Sequence, residues 1–152
     1  MKITTRAYGE IEVNEKQKIC FPDGLIGFEG IHHYYLLDSK EGPFYWLQAA
    51  EHPQLAFLLV DPRVFMESYV LSVKESELGV LELESRDDLL DFAIVTVPED
   101  PSKISANLMG PIVINRKKRI ARQVISDKDE YEVKHYILKE MRKETTKLAE
   151  TC

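Results

Sequence analysis

The sequence predicts a mainly β protein: a small antiparallel β-barrel or sandwich that forms one domain, with one or two short helices and a helical C-terminal tail. About ten short apolar or alternating segments are separated by turn residues at intervals of about eight to twelve positions. Strands do not alternate with long helices, as they would in a doubly wound α/β protein. The 152 residues are 44% hydrophobic, which is enough for one substantial core.

The first half of the chain contains most of the predicted strands. Residues 10–13 alternate polar and apolar side chains, as a half-buried strand does, and residues 18–21 are the predicted partner across the turn at 14–16. The Pro-Asp-Gly sequence at 22–24 predicts a tight turn. Three further strands are expected at 34–38, 44–47 and 55–60.

The second half contains a short helical region and the predicted centre of the sheet. Residues 69–73 are a further strand candidate, and residues 76–81 are expected to form one or two helical turns. Ser85 is predicted as a helix N-cap, because two aspartates follow it in the positive first turn. The β-branched run at 92–97 predicts a central strand that is covered on both faces.

The most distinctive stretch is Ser-Ala-Asn-Leu-Met-Gly-Pro-Ile-Val-Ile at 105–114. It predicts a loop that leads into a strand whose first residue is Pro111, where the missing N–H does least harm. Residues 112–114 and 120–125 are expected to pair as a hairpin across 115–118. The stretch contains no nucleophile, metal-ligand set or phosphate-binding loop. It therefore indicates a surface that contacts another molecule rather than a catalytic site.

The end of the chain is predicted to be a helical tail. Ile137, Met141 and Leu148 fall on one stripe of such a helix. We expect a single domain over residues 1–138, followed by the tail at 139–152, which frays or is stabilised by a partner.

The acidic charge is concentrated in one segment. The carboxylates between positions 75 and 91 are Glu75, Glu77, Glu82, Glu84, Asp87, Asp88 and Asp91. Against them stands one cation, Arg86, so the segment carries −6, which equals the net charge of the whole chain. Such a segment is either a solvated face or a patch that attracts a basic partner. The acidity argues against general nucleic-acid binding, which depends on many Lys and Arg contacts to phosphate.

The sequence also predicts a cytoplasmic location. The N-terminus leads into no apolar signal segment, and the longest apolar run, at 55–60, is far shorter than the roughly 20 residues of a membrane-spanning helix. Cys20 and Cys152 do not suggest a disulfide framework, which fits a reducing compartment.

No pattern predicts an enzyme, a metal site or a cofactor. His32 and His33 are adjacent, so their side chains diverge on either a strand or a helix and do not favour one ion. Cys20 stands in a strand pattern that is typical of a small buried residue. The glycines at 24, 27 and 30 are not followed by a helix signature, which a phosphate-binding loop requires.

Two alternatives to a protein-binding function remain open. The basic cluster at 116–119 is either a hairpin tip kept soluble by charge or an RNA-binding module, although it lacks the interleaved aromatics of single-strand binders. The second alternative is a small acidic β-barrel domain that binds a small-molecule ligand in its interior.

Four stretches, in this order, occur together in a known family. They are Phe-Pro-Asp-Gly-Leu-Ile-Gly-Phe-Glu at 21–29, Phe-Leu-Leu-Val-Asp-Pro at 57–62, Phe-Ala-Ile-Val-Thr-Val-Pro at 92–98, and Asn-Leu-Met-Gly-Pro-Ile-Val-Ile-Asn at 107–115 with Gln-Val-Ile at 123–125. Over residues 11–138 the sequence thus resembles the flagellar assembly factor FliW family. Two positions depart from the pattern: Ser105 stands where Thr is expected, and Gly110 where Ala is usual.

The resemblance implies a non-enzymatic regulator with a small β-barrel-like fold. Members of the FliW family bind flagellin and the RNA-binding translational repressor CsrA, and they antagonise CsrA from a site other than its RNA surface. Accumulated flagellin occupies FliW and leaves CsrA free to repress flagellin translation, whereas flagellin export releases FliW to capture CsrA. The resemblance also implies a monomer that pairs two to two with a CsrA dimer.

Three groups of residues are the candidate partner-binding sites. The first is the acidic segment, which we expect to lie beside the RNA-binding face of CsrA and repel RNA; its candidates are Glu75, Glu77, Glu82, Glu84, Asp87 and Asp88. The second comprises Asn107, Leu108 and Pro111, where Asn107 either holds the loop through hydrogen bonds to the backbone or contacts a partner. The third is the tail stripe of Ile137, Met141 and Leu148, which would dock into a partner groove.

Overall fold

Seven strands close on themselves to form a β-barrel in the computed structural model, which describes residues 1–151 and the side chains as far as Thr145. The strands are β1 (Lys2–Thr5), β2 (Gly9–Glu12), β3 (Lys18–Cys20), β4 (His33–Asp38), β5 (Phe44–Ala49), β6 (Ala56–Val60), β7 (Leu89–Thr96), β8 (Ser105–Asn115), β9 (Ile120–Gln123) and β10 (His135–Tyr136). The helices are α1 (Glu75–Leu78) and α2 (Ile137–Thr151). The predicted mainly β fold, with short helices and a C-terminal helix, is confirmed.

The barrel runs in the order β8, β7, β6, β5, β4, β3, β9, and β9 then pairs with β8. Every neighbouring pair is antiparallel except β3 and β9, which meet in parallel at Cys20 and Ile120. At this seam the Cys20 N–H donates to the Arg119 carbonyl at 2.9 Å. The short β10 adds to the start of β8 outside the barrel.

Side chains fill the interior of the barrel. Ile19, Phe21, Leu47, Ile112 and Ile114 are fully buried there. The run at 92–97 lies largely within β7, which pairs with β6 on one side and β8 on the other, as a central strand should. Burial of this apolar surface supplies the main stabilisation of the fold.

The β1–β2 hairpin covers one side of the barrel. Ile3 and Val13 pack there on Tyr35 and Leu37 of β4. The predicted pairing of residues 10–13 with 18–21 is therefore wrong: β2 pairs with β1, and β3 pairs with β4 and β9. A 3₁₀ turn at Glu15–Gln17, capped by Asn14, separates β2 from β3 and prevents a direct hairpin.

The strand predicted at 69–73 is also wrong. This segment has no regular secondary structure, although Tyr69 is buried and Leu71 half-buried in a second core cluster. The backbone of this segment forms hydrogen bonds with a side chain and a loop rather than with a neighbouring strand. The Val70 N–H donates to the Tyr131 hydroxyl at 3.1 Å, and the Ser72 carbonyl accepts from the Asp127 N–H at 2.9 Å. An apolar alternating pattern reports burial, and here burial occurs without strand pairing.

The structure corrects the description of residues 105–114. They are not a loop that ends at Pro111 but part of the eleven-residue strand β8. Ile94 of β7 pairs with Asn107 and Phe92 pairs with Ile112, so residues 108–111 bulge away from β7. Pro111 is tolerated inside a strand because the bulge removes the need for its N–H.

The short helical elements match the sequence more closely. The turns predicted at 76–81 are α1 followed by a 3₁₀ turn at Gly79–Leu81. Ser85 caps a 3₁₀ turn at Arg86–Asp88, where its hydroxyl accepts from the Asp87 N–H at 3.2 Å. The hairpin between β8 and β9 is present as predicted and carries the basic cluster at 116–119.

Candidate partner-binding surfaces

Most carboxylates of the acidic segment lie in ion pairs, one with the segment's own Arg86 and the others with cations from other parts of the chain. The pairs are Glu75 with Arg86 at 3.3 Å, Glu77 with Arg122 at 3.1 Å, Glu82 with Lys118 at 3.6 Å, Asp88 with Arg116 at 3.0 Å and Lys117 at 3.7 Å, and Asp91 with Arg63 at 3.1 Å. The β8–β9 hairpin thus brings its basic cluster against the acidic segment. The segment does not present a surface charge of −6, because neighbouring cations offset much of it.

Two members of the segment are structural. The Asp88 side chain is only 3% exposed and is held by Arg116 and Lys117, and the Asp91 side chain is 11% exposed. Burial raises the pKa of Asp91, and the guanidinium of Arg63 opposes that rise. Neither carboxylate is placed to meet a partner directly.

Four exposed carboxylates remain together on the surface, and we call them the acidic ledge: Glu75, Glu82, Glu84 and Asp87. The three glutamates line a shallow groove of about 330 Å³. Among the described side chains, Glu84 and Asp87 form no ion pair. Glu82 and Glu75 have exposed partners, and such pairs exchange readily with other cations. The acidic ledge is therefore the part of the segment that can attract a basic partner.

Asn107 organises the bulge in β8. Its Oδ1 accepts from the N–H groups of Met109 at 3.0 Å and Gly110 at 2.9 Å. These two hydrogen bonds support the first of the two predicted roles of Asn107, in which its side chain holds this part of the chain through the backbone. Leu108 and Pro111 are buried, so these two candidates pack inside the protein.

Gln123 of β9 connects the bulge to the turn after β3. Its Nε2 donates to the Gly110 carbonyl at 3.0 Å, and its Oε1 accepts from the Ile26 N–H at 3.0 Å. Two of the four distinctive stretches of the sequence, at 21–29 and 107–115, are joined through this one side chain. No sequence pattern predicted that role, because the contact spans 97 positions.

An open apolar groove of about 350 Å³ lies at this junction. Leu25, Phe57 and Ile94 form its floor, where the barrel core reaches the surface. Four large apolar side chains form its rim: Ile26 (57% exposed), Met109 (41%), Ile125 (54%) and Val133 (56%). Clusters of exposed apolar residues of this kind mark interaction sites on soluble proteins. Sequence periodicity missed the rim, because Met109 comes from the bulge in β8 and the other members come from separate turns and loops.

The tail-stripe residues that the structure describes have different environments: one is buried and one is exposed. Ile137 is buried in the second core cluster with Tyr131, and its N–H donates to the Ile104 carbonyl at 3.0 Å. Met141 is 45% exposed. The side chain of Leu148 lies outside the residues whose side chains the structure describes. Only Met141 of the described stripe is placed to contact a partner.

The histidines, the cysteine and the helices point to no further site in the described residues. His32 Nδ1 lies 2.9 Å from the Phe21 carbonyl, where it supports the turn after β3. Among the side chains that the structure describes, which end at Thr145, there is no group of three from His, Cys, Asp or Glu that could hold a metal ion. Over the described backbone, residues 1–151, no helix is both long and apolar enough to cross a membrane.

Replacing Gly110 with alanine is expected to change the free energy of unfolding by less than about 1 kcal/mol. Alanine stabilises the protein by reducing the conformational freedom of the unfolded chain, but its Cβ crowds a neighbouring side chain in the folded state. The added Cβ would lie 2.9 Å from Gln123 Nε2, so that side chain must shift. In a Gln123→Ala background the obstacle is gone, and the same replacement is expected to stabilise by about 0.5–1 kcal/mol. Urea unfolding of the four proteins measures the difference; an equal effect in both backgrounds would contradict this account.

Together these features define a small β-barrel protein that exposes an acidic ledge and an apolar groove. The family model described as "FliW protein" matches residues 2–137. The flagellar assembly factor FliW of Treponema denticola is 43% identical over 141 residues, covering 93% of this chain and 96% of that protein. That of Thermoanaerobacter pseudethanolicus is 40% identical over 144 residues, with coverage of 93% and 96%.

A solved structure shows the same architecture. The crystal structure of a flagellar assembly factor FliW superposes with a TM-score of 0.83 at 34% identity, over 90% of this chain and 96% of that one. The chain therefore belongs to the FliW family, and the resemblance seen in its four sequence stretches is confirmed.

Proposed function

We propose that this protein is a non-enzymatic, cytoplasmic flagellar assembly factor that binds flagellin and the translational repressor CsrA in alternation. Flagellin in excess occupies it and leaves CsrA free to repress flagellin translation. Export of flagellin releases it to capture CsrA. Family membership supports the flagellar role, and the relatives it matches are named as assembly factors.

The acidic ledge is the observation that carries the CsrA part of this proposal. A repressor that binds RNA presents cations to phosphate, and exposed carboxylates attract such a surface. Glu84 and Asp87 contribute most, because they form no ion pair with the described side chains. Carboxylates held beside the RNA-binding face would repel RNA without occupying its contacts, so the protein would antagonise CsrA allosterically.

Neutralising the ledge by Glu84→Gln with Asp87→Asn is expected to weaken CsrA binding by roughly fivefold to tenfold at low salt, and less at high salt, because salt screens exposed charges. Titration calorimetry at two salt concentrations measures both effects. The matched control is Glu41→Gln with Glu51→Gln, which removes the same charge from exposed positions elsewhere. Equal affinities for the two double variants would refute the ledge as the CsrA site.

The partner switch itself is tested by titrating CsrA into the unaltered protein, alone and with flagellin present. The proposal expects tight binding that flagellin abolishes, from a protein that is monomeric before CsrA is added. Absence of heat with both proteins, from a folded sample, would refute it.

The alternative of a ligand held inside the barrel has less support, because fully buried side chains fill that interior.

A further inference from the structure

We infer that the basic cluster at 116–119 is an internal competitor of the basic partner, because its Lys118 occupies part of the acidic ledge until a partner displaces it. The inference rests on the proposed function, in which the ledge attracts the RNA-binding repressor. Lys118 Nζ lies 3.6 Å from Glu82 Oε1. A partner cation can reach Glu82 only when Lys118 leaves it. The unaltered protein therefore binds its partner less tightly than the ledge carboxylates alone would allow.

The hairpin that carries the cluster is fixed against the acidic segment at Asp88. The Arg116 N–H donates to the Asp88 carbonyl at 2.9 Å, and the Arg116 and Lys117 side chains pair with the Asp88 carboxylate, which is only 3% exposed. A buried carboxylate is costly without its cations, so these two residues hold the hairpin in place. Of the three cluster residues that pair with described carboxylates, only Lys118 has an exposed partner.

Asn115 sets the distance between the basic cluster and the ledge. Its side chain is buried, and its Nδ2 donates to the Leu81 carbonyl at 2.9 Å. Its Oδ1 accepts from the N–H groups of Lys117 at 3.0 Å and Lys118 at 3.2 Å. One side chain therefore ties the backbone just before Glu82 to the backbone that carries Lys118. The fold itself brings the two charges together, which distinguishes this pair from a chance encounter of long side chains on a surface.

Two strained backbone positions flank the contact. Glu82 has φ of +54° and Arg119 has φ of +58°, and in the described part of the chain these are the non-glycine residues with positive φ. Such residues persist where the surrounding structure fixes them, and they cluster at functional sites. Glu82 ends the 3₁₀ turn at Gly79–Leu81, and Arg119 ends the turn between β8 and β9. Both positions thus shape the turns that bring the basic cluster against the ledge.

Removing the charge of Lys118 is expected to increase the affinity for the partner. Lys118→Gln should tighten CsrA binding by roughly twofold to fivefold at low salt, the range that corresponds to one exposed ion pair. Damage to the fold would weaken binding, so it cannot produce this gain.

The matched control is Lys103→Gln, which removes the same charge from an exposed lysine at the other end of β8. The eleven residues of β8 span roughly 30 Å, which is well beyond the screening distance of about 10 Å at 0.1 M salt. Lys103→Gln should therefore leave CsrA affinity almost unchanged.

A double-mutant cycle with Glu82→Gln tests whether Lys118 acts through that carboxylate. In the Glu82→Gln background, Lys118→Gln should change CsrA affinity no more than Lys103→Gln does, because Glu82 no longer carries the charge that the lysine occupies. Conversely, Glu82→Gln should weaken binding more after Lys118 has been replaced than in the unaltered protein. Titration calorimetry at low salt gives each affinity, and circular dichroism checks that each variant folds.

The outcomes separate this inference from the proposed function. If the unaltered protein binds CsrA and Lys118→Gln tightens binding no more than Lys103→Gln does, the inference is overturned and the proposed function stands. A gain that persists in the Glu82→Gln background also overturns it. So does a loss of affinity from a folded Lys118→Gln protein, because the lysine would then contact the partner itself. If the unaltered protein does not bind CsrA, the proposed function fails and the inference fails with it.

Discussion

Replacing Gly24 with alanine is expected to lower the free energy of unfolding by at least about 3 kcal/mol, one of the largest losses that a single added methyl group can cause. Gly24 has φ of +68°, and a Cβ built on it would lie 2.6 Å from both the Glu29 Cα and the Phe28 carbonyl oxygen. Those atoms belong to the backbone of the same turn, so no side chain can move aside. The turn would have to open, and Leu25, which is buried in the barrel core, would move with it.

Two other glycines of this turn are internal controls. Gly27 has φ of +90° with open space around its α-carbon, so Gly27→Ala should cost only the conformational strain, about 1–2 kcal/mol. Gly30 has neither a positive φ nor a near neighbour, so Gly30→Ala should be neutral or slightly stabilising. Urea unfolding of the three variants should give that order. If Gly24→Ala lowered the free energy of unfolding no more than Gly27→Ala does, the predicted clash of the Gly24 Cβ with the backbone would be contradicted.

Replacing Arg63 with methionine is expected to destabilise the protein by about 2 kcal/mol at neutral pH, because it leaves a largely buried carboxylate without its cation. Arg63 Nη1 donates to both oxygens of Asp91, at 3.1 and 3.2 Å, and to Asp61 at 3.0 Å. The arginine side chain is itself 41% exposed, so solvent weakens the pair and the loss stays below that of a fully buried one. Methionine keeps an apolar stem near Tyr69, over whose ring the guanidinium lies at 5.2 Å.

The destabilisation caused by Arg63→Met should depend on pH, because it depends on whether Asp91 is ionised. Burial holds the pKa of Asp91 above its usual value even with Arg63 present, and removal of the cation raises that pKa further. A carboxyl whose pKa is higher in the folded state favours folding when protonated, and this stability is lost as pH rises through the folded pKa. The destabilisation by Arg63→Met should therefore be largest at neutral pH and shrink as the pH falls and Asp91 becomes protonated in both proteins.

Adding Asp91→Asn to both the original protein and Arg63→Met isolates the carboxylate. In that background the cost of Arg63→Met should lose most of its pH dependence. Urea unfolding between pH 4 and 7 measures all four proteins. A cost that grows toward acid pH would reverse the predicted sign and refute this account of the pair.

Local patterns predicted local structure well. The cap at Ser85, the central strand β7 and the β8–β9 hairpin follow from residues close together in the sequence. The strand proposed at 69–73 failed because an alternating apolar pattern reports burial, which that segment achieves by packing on Tyr131. Pro111 was misplaced because the rule that keeps proline at strand ends has an exception at bulges, and a bulge depends on the register of two strands.

The surfaces were predicted less well than the strands, because surfaces are assembled from distant residues. Counting charge along residues 75–91 omitted Arg116, Lys117, Lys118 and Arg122, which the β8–β9 hairpin brings alongside. The family resemblance identified the segments that build the apolar groove but not the groove itself. Its rim combines the turn after β3, the β8 bulge and the chain beyond β9.

The single parallel contact that closes the barrel has a consequence for how the chain folds. Cys20 meets Ile120 across 100 positions of sequence, so this closure cannot form until most of the chain has been synthesised. The meander from β3 to β7 can pair neighbour to neighbour beforehand, because each hairpin joins strands adjacent in sequence. Contacts of long sequence separation form slowly, which makes closure the expected slow step of folding. Until then the exposed edges of β3 and β7 are the parts of a nascent chain most open to mispairing with another copy.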